Sequence, residues 1–166
     1  MSLIFLTEDD FTIFSGRKGP EMCVGIQNFS LILFYSNQCS YCQSLIPIFK
    51  NLPNAIGNCH FGMVNISNNR GLVALSQQTT TPLTYVPYIV LYINGHPFML
   101  YEGPPDINII GEFIHKVAND VRSRQTFVAQ TVKNPDTGRR EIPAYTVGHP
   151  VRGHDNRCYL NYDNAY

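Results

Sequence analysis

Two patterns of apolar residues alternate along the first 121 positions, one typical of strands and one typical of helices. Continuous apolar runs occur at Leu31–Tyr35 and within residues 59–67, and such runs predict strands that are buried on both faces. A shorter run at residues 2–5 predicts another strand. Residues 39–51 carry an apolar stripe at helical spacing, so we expect a helix there, kinked by Pro47.

A hairpin is the strongest local signal in the sequence. Tyr88–Ile93 and Phe98–Tyr101 are both apolar, and Asn94-Gly95 between them supplies the positive φ angles that a type I′ turn requires. Pro97 begins the returning strand and has no backbone N–H to donate. We therefore expect the second strand of the hairpin to lie at an edge of its sheet.

Three further segments complete the predicted order of elements. Residues 16–28 mix glycine, proline and polar residues and predict a loop with a short helix, and residues 69–78 predict another short helix. Apolar residues between 107 and 121 fall on one face of a long helix, with Asp106 as its predicted N-cap. Strands and helices in this order predict an α/β fold, with a mixed central sheet flanked by helices.

The helical pattern stops after residue 121, and we expect residues 122–166 to form an extended, irregular, tyrosine-rich docking tail on a domain of residues 1–121. Such a tail buries its tyrosines either on its own domain or on a neighbouring protein in an assembly. We favour the second alternative. The predicted docking residues are Tyr145, Tyr159, Tyr162 and Tyr166.

Composition and charge exclude several classes of protein. With 166 residues, 44% hydrophobic and 14% charged, the chain suits one packed globular domain with an appendage. The net charge is −3 over residues 1–121 and +3 over residues 122–166, so the dense basic face of a nucleic-acid-binding protein is missing. No apolar run reaches the roughly 18 residues that cross a bilayer, and residues 1–10 lack the features of a secretory signal. We therefore expect a cytoplasmic protein without membrane insertion.

The five cysteines carry the candidate chemistry. Cys39 and Cys42 form a Cys-x-x-Cys motif, which in a reducing compartment indicates a redox dithiol, half of a metal site, or an idle pair. Zinc needs four ligands and no second such motif exists, so we expect neither a metal nor another cofactor. Cys23 and Cys59 are expected to be small buried apolar residues, whereas Cys158 is either free or bonded to another chain.

A set of residues around this motif resembles the thioredoxin-like family over residues 1–121. The set comprises Cys39-Ser40-Tyr41-Cys42, Pro47, Val86-Pro87 before the hairpin, the Asn94-Gly95 turn and Gly103. The resemblance implies that Cys39 is the nucleophilic thiol and Cys42 the resolving thiol. It also implies that Val86, Pro87 and Tyr41 position a cysteine-containing substrate peptide, with a cis bond before the proline.

The expected chemistry has a physical reason. A cysteine at a helix N-terminus faces unsatisfied N–H groups and the positive end of the helix dipole, which favour its thiolate. Cys42, one turn further on, then attacks the mixed disulfide that Cys39 has formed. An offset of three residues brings both sulfurs to one helix face, close enough to bond each other.

The sequence also departs from the family pattern. Leu33 stands where thioredoxins usually have a buried acid, Met63 near where a lysine often accompanies it, and Gln38 where an aromatic residue is usual. These losses favour an alternative, a non-catalytic structural component on a thioredoxin-like scaffold. The combination of a diverged thioredoxin-like domain with a tail that ends "CYLNYDNAY" is also similar to thioredoxin-like proteins of large cytoplasmic DNA viruses. That similarity implies a minor capsid role and a location in the virion.

Overall fold

The computed structural model describes residues 3–16, 19–80, 82–130 and 158–159. Its strands are β1 (Leu3–Leu6), β2 (Phe11–Gly16), β3 (Gly19–Val24), β4 (Phe29–Tyr35), β5 (His60–Asn65), β6 (Tyr85–Val86), β7 (Tyr88–Ile93), β8 (His96–Tyr101) and β9 (Cys158–Tyr159). Its α-helices are α1 (Ser40–Ala55), α2 (Arg70–Ser76) and α3 (Ile107–Gln130), and a 3-10 helix spans Glu8–Asp10.

Five strands form the central sheet in the order β1-β5-β4-β7-β8. The pairs β1–β5 and β4–β5 are parallel, whereas β4–β7 and β7–β8 are antiparallel. The sheet is therefore mixed, and the predicted α/β fold is confirmed. None of the helices in the described part of the chain is long and apolar enough to cross a bilayer.

Both faces of the sheet are covered, as the continuous apolar run of β4 predicted. Leu31 and Leu33 are fully buried in a cluster with apolar residues of α1 and α3. Ile32 and Phe34, which point to the opposite face, are fully buried in a second cluster with residues of α2 and the β2–β3 pair. Successive side chains of a strand alternate between faces, so one strand supplies the centre of both clusters.

The short helix predicted within residues 16–28 is wrong. Residues 19–24 form β3, which pairs antiparallel with β2 from Phe11 opposite Val24 to Gly16 opposite Gly19. Gly16, Gly19 and Pro20 all disfavour a helix, and Gly19 has a φ of +135° that suits glycine. This β2–β3 hairpin covers the sheet on the α2 side.

The β7–β8 hairpin and the cap of α3 agree with the sequence. Asn94 and Gly95 have φ angles of 50° and 86°, as a type I′ turn requires, and β8 is an edge strand. An oxygen of the Asp106 side chain accepts from the amides of Asn108 at 2.8 Å and Ile109 at 3.2 Å. Asp106 is therefore the N-cap residue of α3.

Helix α3 continues nine residues beyond position 121, where the sequence predicted an extended tail to begin. Its buried stripe ends near Val117 and Ala118, but the following residues include good helix formers, and the next proline is Pro135. Helix α3 therefore extends beyond the apolar pattern from which it was predicted. The predicted division into a domain and a docking tail stays a prediction.

Candidate active site

The cysteine motif lies where β4 passes into α1. Cys39 is the last residue before the helix and has an extended backbone with φ −102° and ψ 118°, and Cys42 lies in the first helical turn. The connecting loop is held by polar contacts. The hydroxyl oxygens of Ser36 and Ser67 are 3.0 Å apart, and the Gln38 amide donates to the Ser36 hydroxyl at 3.2 Å. These contacts fix the loop that carries Cys39 to the helix terminus.

Strand β6 lies directly opposite the Cys39 sulfur. The distance from the Sγ atom of Cys39 to the carbonyl oxygen of Val86 is 3.7 Å, although the two residues are 47 positions apart in the sequence. The Val86–Pro87 peptide bond is cis. The fold thus brings together three of the residues that the sequence predicted for the site, and the side chain of Cys39 is only 3% exposed there.

The helix terminus favours negative charge on the Cys39 sulfur. The first amides of an α-helix have no acceptor within the helix, and the helix dipole adds partial positive charge at this end. The first turn of α1 contains no acidic side chain that would oppose this effect. The position of Cys39 therefore suits the nucleophilic role that the sequence predicted for it, and that role stays a prediction.

Cys42 has a different environment. Its side chain is fully buried, its thiol is free, and burial raises its pKa from 9.0 to about 11, against a smaller opposing contribution from the Ser36 backbone. Burial also raises the pKa of the Tyr35 hydroxyl, and nearby Cys42 raises it further. At neutral pH Cys42 is therefore almost entirely protonated, as expected for a second thiol that reacts only after losing a proton.

A short piece of the same chain pairs with β6. Strand β9 lies antiparallel to it, with Cys158 opposite Val86 and Tyr159 opposite Tyr85. Sequence reasoning missed this pairing, because a two-residue strand carries no periodic signal. Of the four predicted docking residues, Tyr159 therefore lies along the backbone of its own domain. The other three, Tyr145, Tyr162 and Tyr166, lie outside the described residues.

Comparison with known proteins identifies the family. The thioredoxin family model matches residues 23–116, which is more than half of the chain and includes the motif and Pro87. The chain belongs to the thioredoxin family. Its fold and its cysteine pair are those of a thiol–disulfide oxidoreductase-like protein, whereas the individual catalytic roles of Cys39 and Cys42 stay predictions.

Two relatives come from iridescent viruses. An uncharacterized protein of Invertebrate iridescent virus 6 is 42% identical over 139 residues, which are 84% of this chain and 75% of that protein. An uncharacterized protein of Invertebrate iridescent virus 3 is 30% identical over 170 aligned positions, which cover 99% of this chain and 96% of that one.

Two solved structures are similar to this thioredoxin-family chain. The Trx4 domain of ERdj5 superposes with a TM-score of 0.50 at 18% identity, covering 71% of this chain and 96% of that one. Human ERp44 superposes with a TM-score of 0.48 at 20% identity, covering 54% of this chain. The match spans only 25% of the ERp44 chain.

Two family positions at the centre of the sheet are apolar. Leu33 on β4 and Met63 on β5 lie directly opposite each other in the strand register and are 0% and 1% exposed. They occupy the positions at which the resemblance implies an acid and a lysine. A single buried charge would cost several kcal/mol, so the replacement of both leaves no unpaired ion. If Cys42 has its predicted resolving role, its proton would then pass to water or to the departing substrate sulfur.

Aromatic side chains border the site. Tyr41, between the two cysteines, is 44% exposed and is thus accessible to a partner, as its predicted substrate-positioning role requires. The rings of Tyr85 and Tyr88 pack edge to face with centroids 5.1 Å apart, and the Tyr85 hydroxyl donates to Glu102 at 3.4 Å. These contacts stiffen the short β6 strand on either side of Val86.

A second group of potential ligands lies away from the motif. Glu21 and Cys23 of β3 and His96 of β8 bring a carboxylate, a thiol and an imidazole within 4.8 Å of one another. Burial, and then the charge of Glu21, raise the pKa of the Cys23 thiol to about 11. No pattern in the sequence indicated this group, because the three residues meet only through the β2–β3 hairpin, which was not predicted. Cys23 and Cys59 are buried, as expected.

Proposed function

We propose that this protein exchanges thiols and disulfides with extended, cysteine-containing protein segments. The observation that carries the proposal is the position of the Cys39 sulfur at the N-terminus of α1, 3.7 Å from the Val86 carbonyl oxygen. Val86 belongs to a two-residue strand whose edge accepts an extended segment, as its pairing with β9 illustrates. A substrate strand bound at this edge would present its sulfur to Cys39.

The reaction proceeds in two exchanges. The Cys39 thiolate attacks one sulfur of a substrate disulfide, a mixed disulfide forms, and the other substrate sulfur leaves as a thiolate that takes up a proton. Cys42 loses its proton and attacks the Cys39 sulfur. The second substrate thiol is then released, and a disulfide joins Cys39 to Cys42. Two electrons pass to the substrate, and the reversed sequence oxidises a substrate dithiol.

Insulin reduction in the presence of dithiothreitol tests the proposal. We expect catalysis by the wild-type chain, the uncatalysed rate with Cys39→Ser, and an accumulated mixed disulfide with Cys42→Ser. Cys59→Ala is the matched control. Cys59 is a buried cysteine just before the start of β5, whereas the motif follows the end of the parallel strand β4, so the two lie at opposite ends of these strands. Equal rates for the wild type and Cys39→Ser would reject the proposal.

A second candidate function is structural. The two viral relatives and the apolar Leu33–Met63 pair favour a minor capsid component that is docked through the C-terminal tail, in which case the protein would reside in the virion as well as in the cytoplasm. Truncation after Gln130 would then abolish incorporation into purified particles and leave insulin reduction at or above the wild-type rate. Normal incorporation of the truncated chain would reject the docking role of the tail.

A further inference from the structure

One residue, Val86, connects two features of the site. Its carbonyl oxygen lies 3.7 Å from the Cys39 sulfur, and its backbone pairs with Cys158 of β9. Residues directly opposite each other in an antiparallel pair have Cα atoms about 4.5 to 5.5 Å apart. The chain therefore places the backbone of its last cysteine beside the residue that contacts its predicted nucleophile.

The register of this pairing is specific. A slip of one residue would set Arg157 or Tyr159 opposite Val86 instead and would reverse the face toward which each side chain points. Two cysteines can form a disulfide when their Cα atoms lie about 4.4 to 6.8 Å apart. The Cα atom of Cys158 thus lies about 4.5 to 5.5 Å from that of Val86, whose carbonyl oxygen is 3.7 Å from the Cys39 sulfur, so this register brings Cys158 next to Cys39.

We propose that the Cys158 segment is a built-in substrate of the Cys39–Cys42 pair, bound as an extended strand on β6 and joined to Cys39 by a disulfide. The inference rests on the proposed function, because it assigns the peptide-binding edge of the same site to a segment of the same chain. It replaces the expectation that Cys158 is free or bonded to another chain.

The chemistry balances without an external oxidant. Starting from the oxidised pair, the Cys158 thiolate attacks the sulfur of Cys39. The Cys39–Cys158 bond forms, the Cys39–Cys42 bond breaks, and Cys42 leaves as a thiolate that takes up the proton that Cys158 gave up. One disulfide exists before and after. The structure contains Cys42 as a free buried thiol, which is its state in this product. Because burial raises its pKa to about 11, Cys42 reopens the bond slowly at neutral pH.

The tail would compete with external substrates. A tethered segment acts at an effective concentration on the order of 1 mM. A cysteine-containing peptide at about 0.1 mM would then be outcompeted roughly tenfold. We expect Cys158→Ser to raise the rate of exchange with such a peptide about tenfold. An unchanged rate would contradict occupation of β6 by the tail.

Peptide mapping tests the bond directly. The full chain is oxidised with glutathione disulfide, its free thiols are blocked with N-ethylmaleimide, and it is digested with trypsin without reductant. We expect the peptide of residues 19–50 to be linked to the peptide of residues 158–166, in a chain that runs as a monomer on a non-reducing gel. Cys42→Ser should increase the yield of this link, Cys39→Ser should abolish it, and Cys59→Ala should leave it unchanged.

Three results of the peptide mapping would overturn the inference. They are absence of the linked peptides, persistence of the link in Cys39→Ser, and a link found only in a disulfide-bonded dimer. The proposed function fails separately. If the wild type reduces insulin but shows no link to Cys158, the function stands and only the built-in substrate is wrong. If neither is seen, the redox function is wrong as well.

A second and independent inference concerns Glu21, Cys23 and His96. The Nδ1 atom of His96 lies 3.3 Å from the Cys23 sulfur and 3.2 Å from the Oε1 atom of Glu21. Zinc binds sulfur at about 2.3 Å and nitrogen or oxygen at about 2.0 to 2.2 Å, so tetrahedral ligands lie roughly 3.3 to 3.6 Å apart. The Val24 amide donates to the Gly95 carbonyl at 2.9 Å beside the cluster and holds β3 against the β7–β8 turn.

The geometry points to a divalent cation site that takes Zn²⁺ or Co²⁺ through one sulfur, one nitrogen and one oxygen ligand, with solvent in the fourth position. This ligand set suits zinc chemistry. The same side chains contact one another directly when no cation is bound. An experiment must therefore separate coordination from that hydrogen-bonded arrangement.

Cobalt titration makes the distinction. The full chain with Cys39→Ser, Cys42→Ser and Cys158→Ser is titrated with Co²⁺, and we expect one equivalent to bind with a thiolate-to-metal absorption band. Adding Cys23→Ser should abolish the band. Adding His96→Ala should weaken binding at least tenfold, whereas His60→Ala, a matched histidine on β5, should not. Absence of the band, or a band that survives Cys23→Ser in a folded protein, would reject the site.

Discussion

The resolving thiol gives the sharpest quantitative prediction, which concerns the pH dependence of the second exchange. Cys42 is fully buried, and burial raises its pKa to about 11. Leu33 and Met63 supply no charge at the positions where the family usually has an acid and a lysine. The rate at which Cys42 attacks the mixed disulfide therefore depends on its own small thiolate fraction.

The magnitude follows from the pKa. A thiol with a pKa of about 11 is ionised to about one part in 10⁴ at pH 7, compared with about one part in 10² for a pKa of 9.0. A more basic thiolate is also more nucleophilic, with a Brønsted coefficient of about 0.4 to 0.5. This higher reactivity offsets about six- to tenfold of the roughly hundredfold loss in thiolate fraction. The second exchange should thus be about tenfold slower at pH 7 than for an unperturbed thiol, and its rate should rise about tenfold per pH unit.

A symmetrical aromatic disulfide measures both steps in one experiment. In the Cys158→Ser chain, attack by Cys39 releases the first coloured thiolate and attack by Cys42 releases the second. Stopped-flow records between pH 6 and pH 9.5 should show a second phase that rises without levelling off. Cys42→Ser should lack that phase. A second phase that is independent of pH, or that levels off below about pH 9, would refute the reasoning from burial.

Three further predictions concern stability. Burial raises the pKa of the Cys59 thiol from 9.0 to about 12, so the native state favours the protonated form; the stability that this contributes is complete below pH 9 and is lost as the pH rises toward 12. In urea unfolding this contribution should fall by about 2 kcal/mol at pH 10.5, and the fall should be smaller in Cys59→Ala. Asp106→Ala should lower the free energy of unfolding by about 1 kcal/mol and Asp106→Asn by much less, because asparagine retains the capping oxygen; equal losses would contradict the cap. Gly95→Ala should cost about 2 kcal/mol or more, because φ is +86° and an added Cβ would meet the Val24 carbonyl, whereas Gly57→Ala, with open space at its Cβ, should change stability by less than about 1 kcal/mol in the same assay.

The sequence predicted those parts of the fold whose local chemistry decides the outcome. The continuous apolar run at Leu31–Tyr35 requires cover on both faces, and the structure buries it on both. Asn94-Gly95 allows few turns other than the one observed, and Asp106 offers its oxygen where helix amides need an acceptor. In each case the physical cause lies within a few residues of the effect.

The sequence predictions were wrong or incomplete where contacts between distant segments determine the structure. Residues 19–24 have little helix or strand preference of their own and become β3 because Phe11–Gly16 pairs with them. The position of Cys158 opposite Val86 depends on a register that joins two segments more than 70 residues apart, and no local pattern encodes it.

The lifetime of the mixed disulfide bears on both candidate functions. In the proposed reaction the helix terminus favours the Cys39 thiolate, and burial without a charged partner keeps Cys42 protonated, so we expect the first exchange to be faster than the second. Rapid turnover would instead require a resolving thiol that ionises easily near neutral pH, so that the second exchange keeps pace with the first. A pair with slow resolution holds its partner covalently for longer. In an assembly, a slow second exchange would keep the partner bonded to Cys39 and make the exchange site a covalent docking site. The two roles would then differ only in whether the partner's sulfur is released.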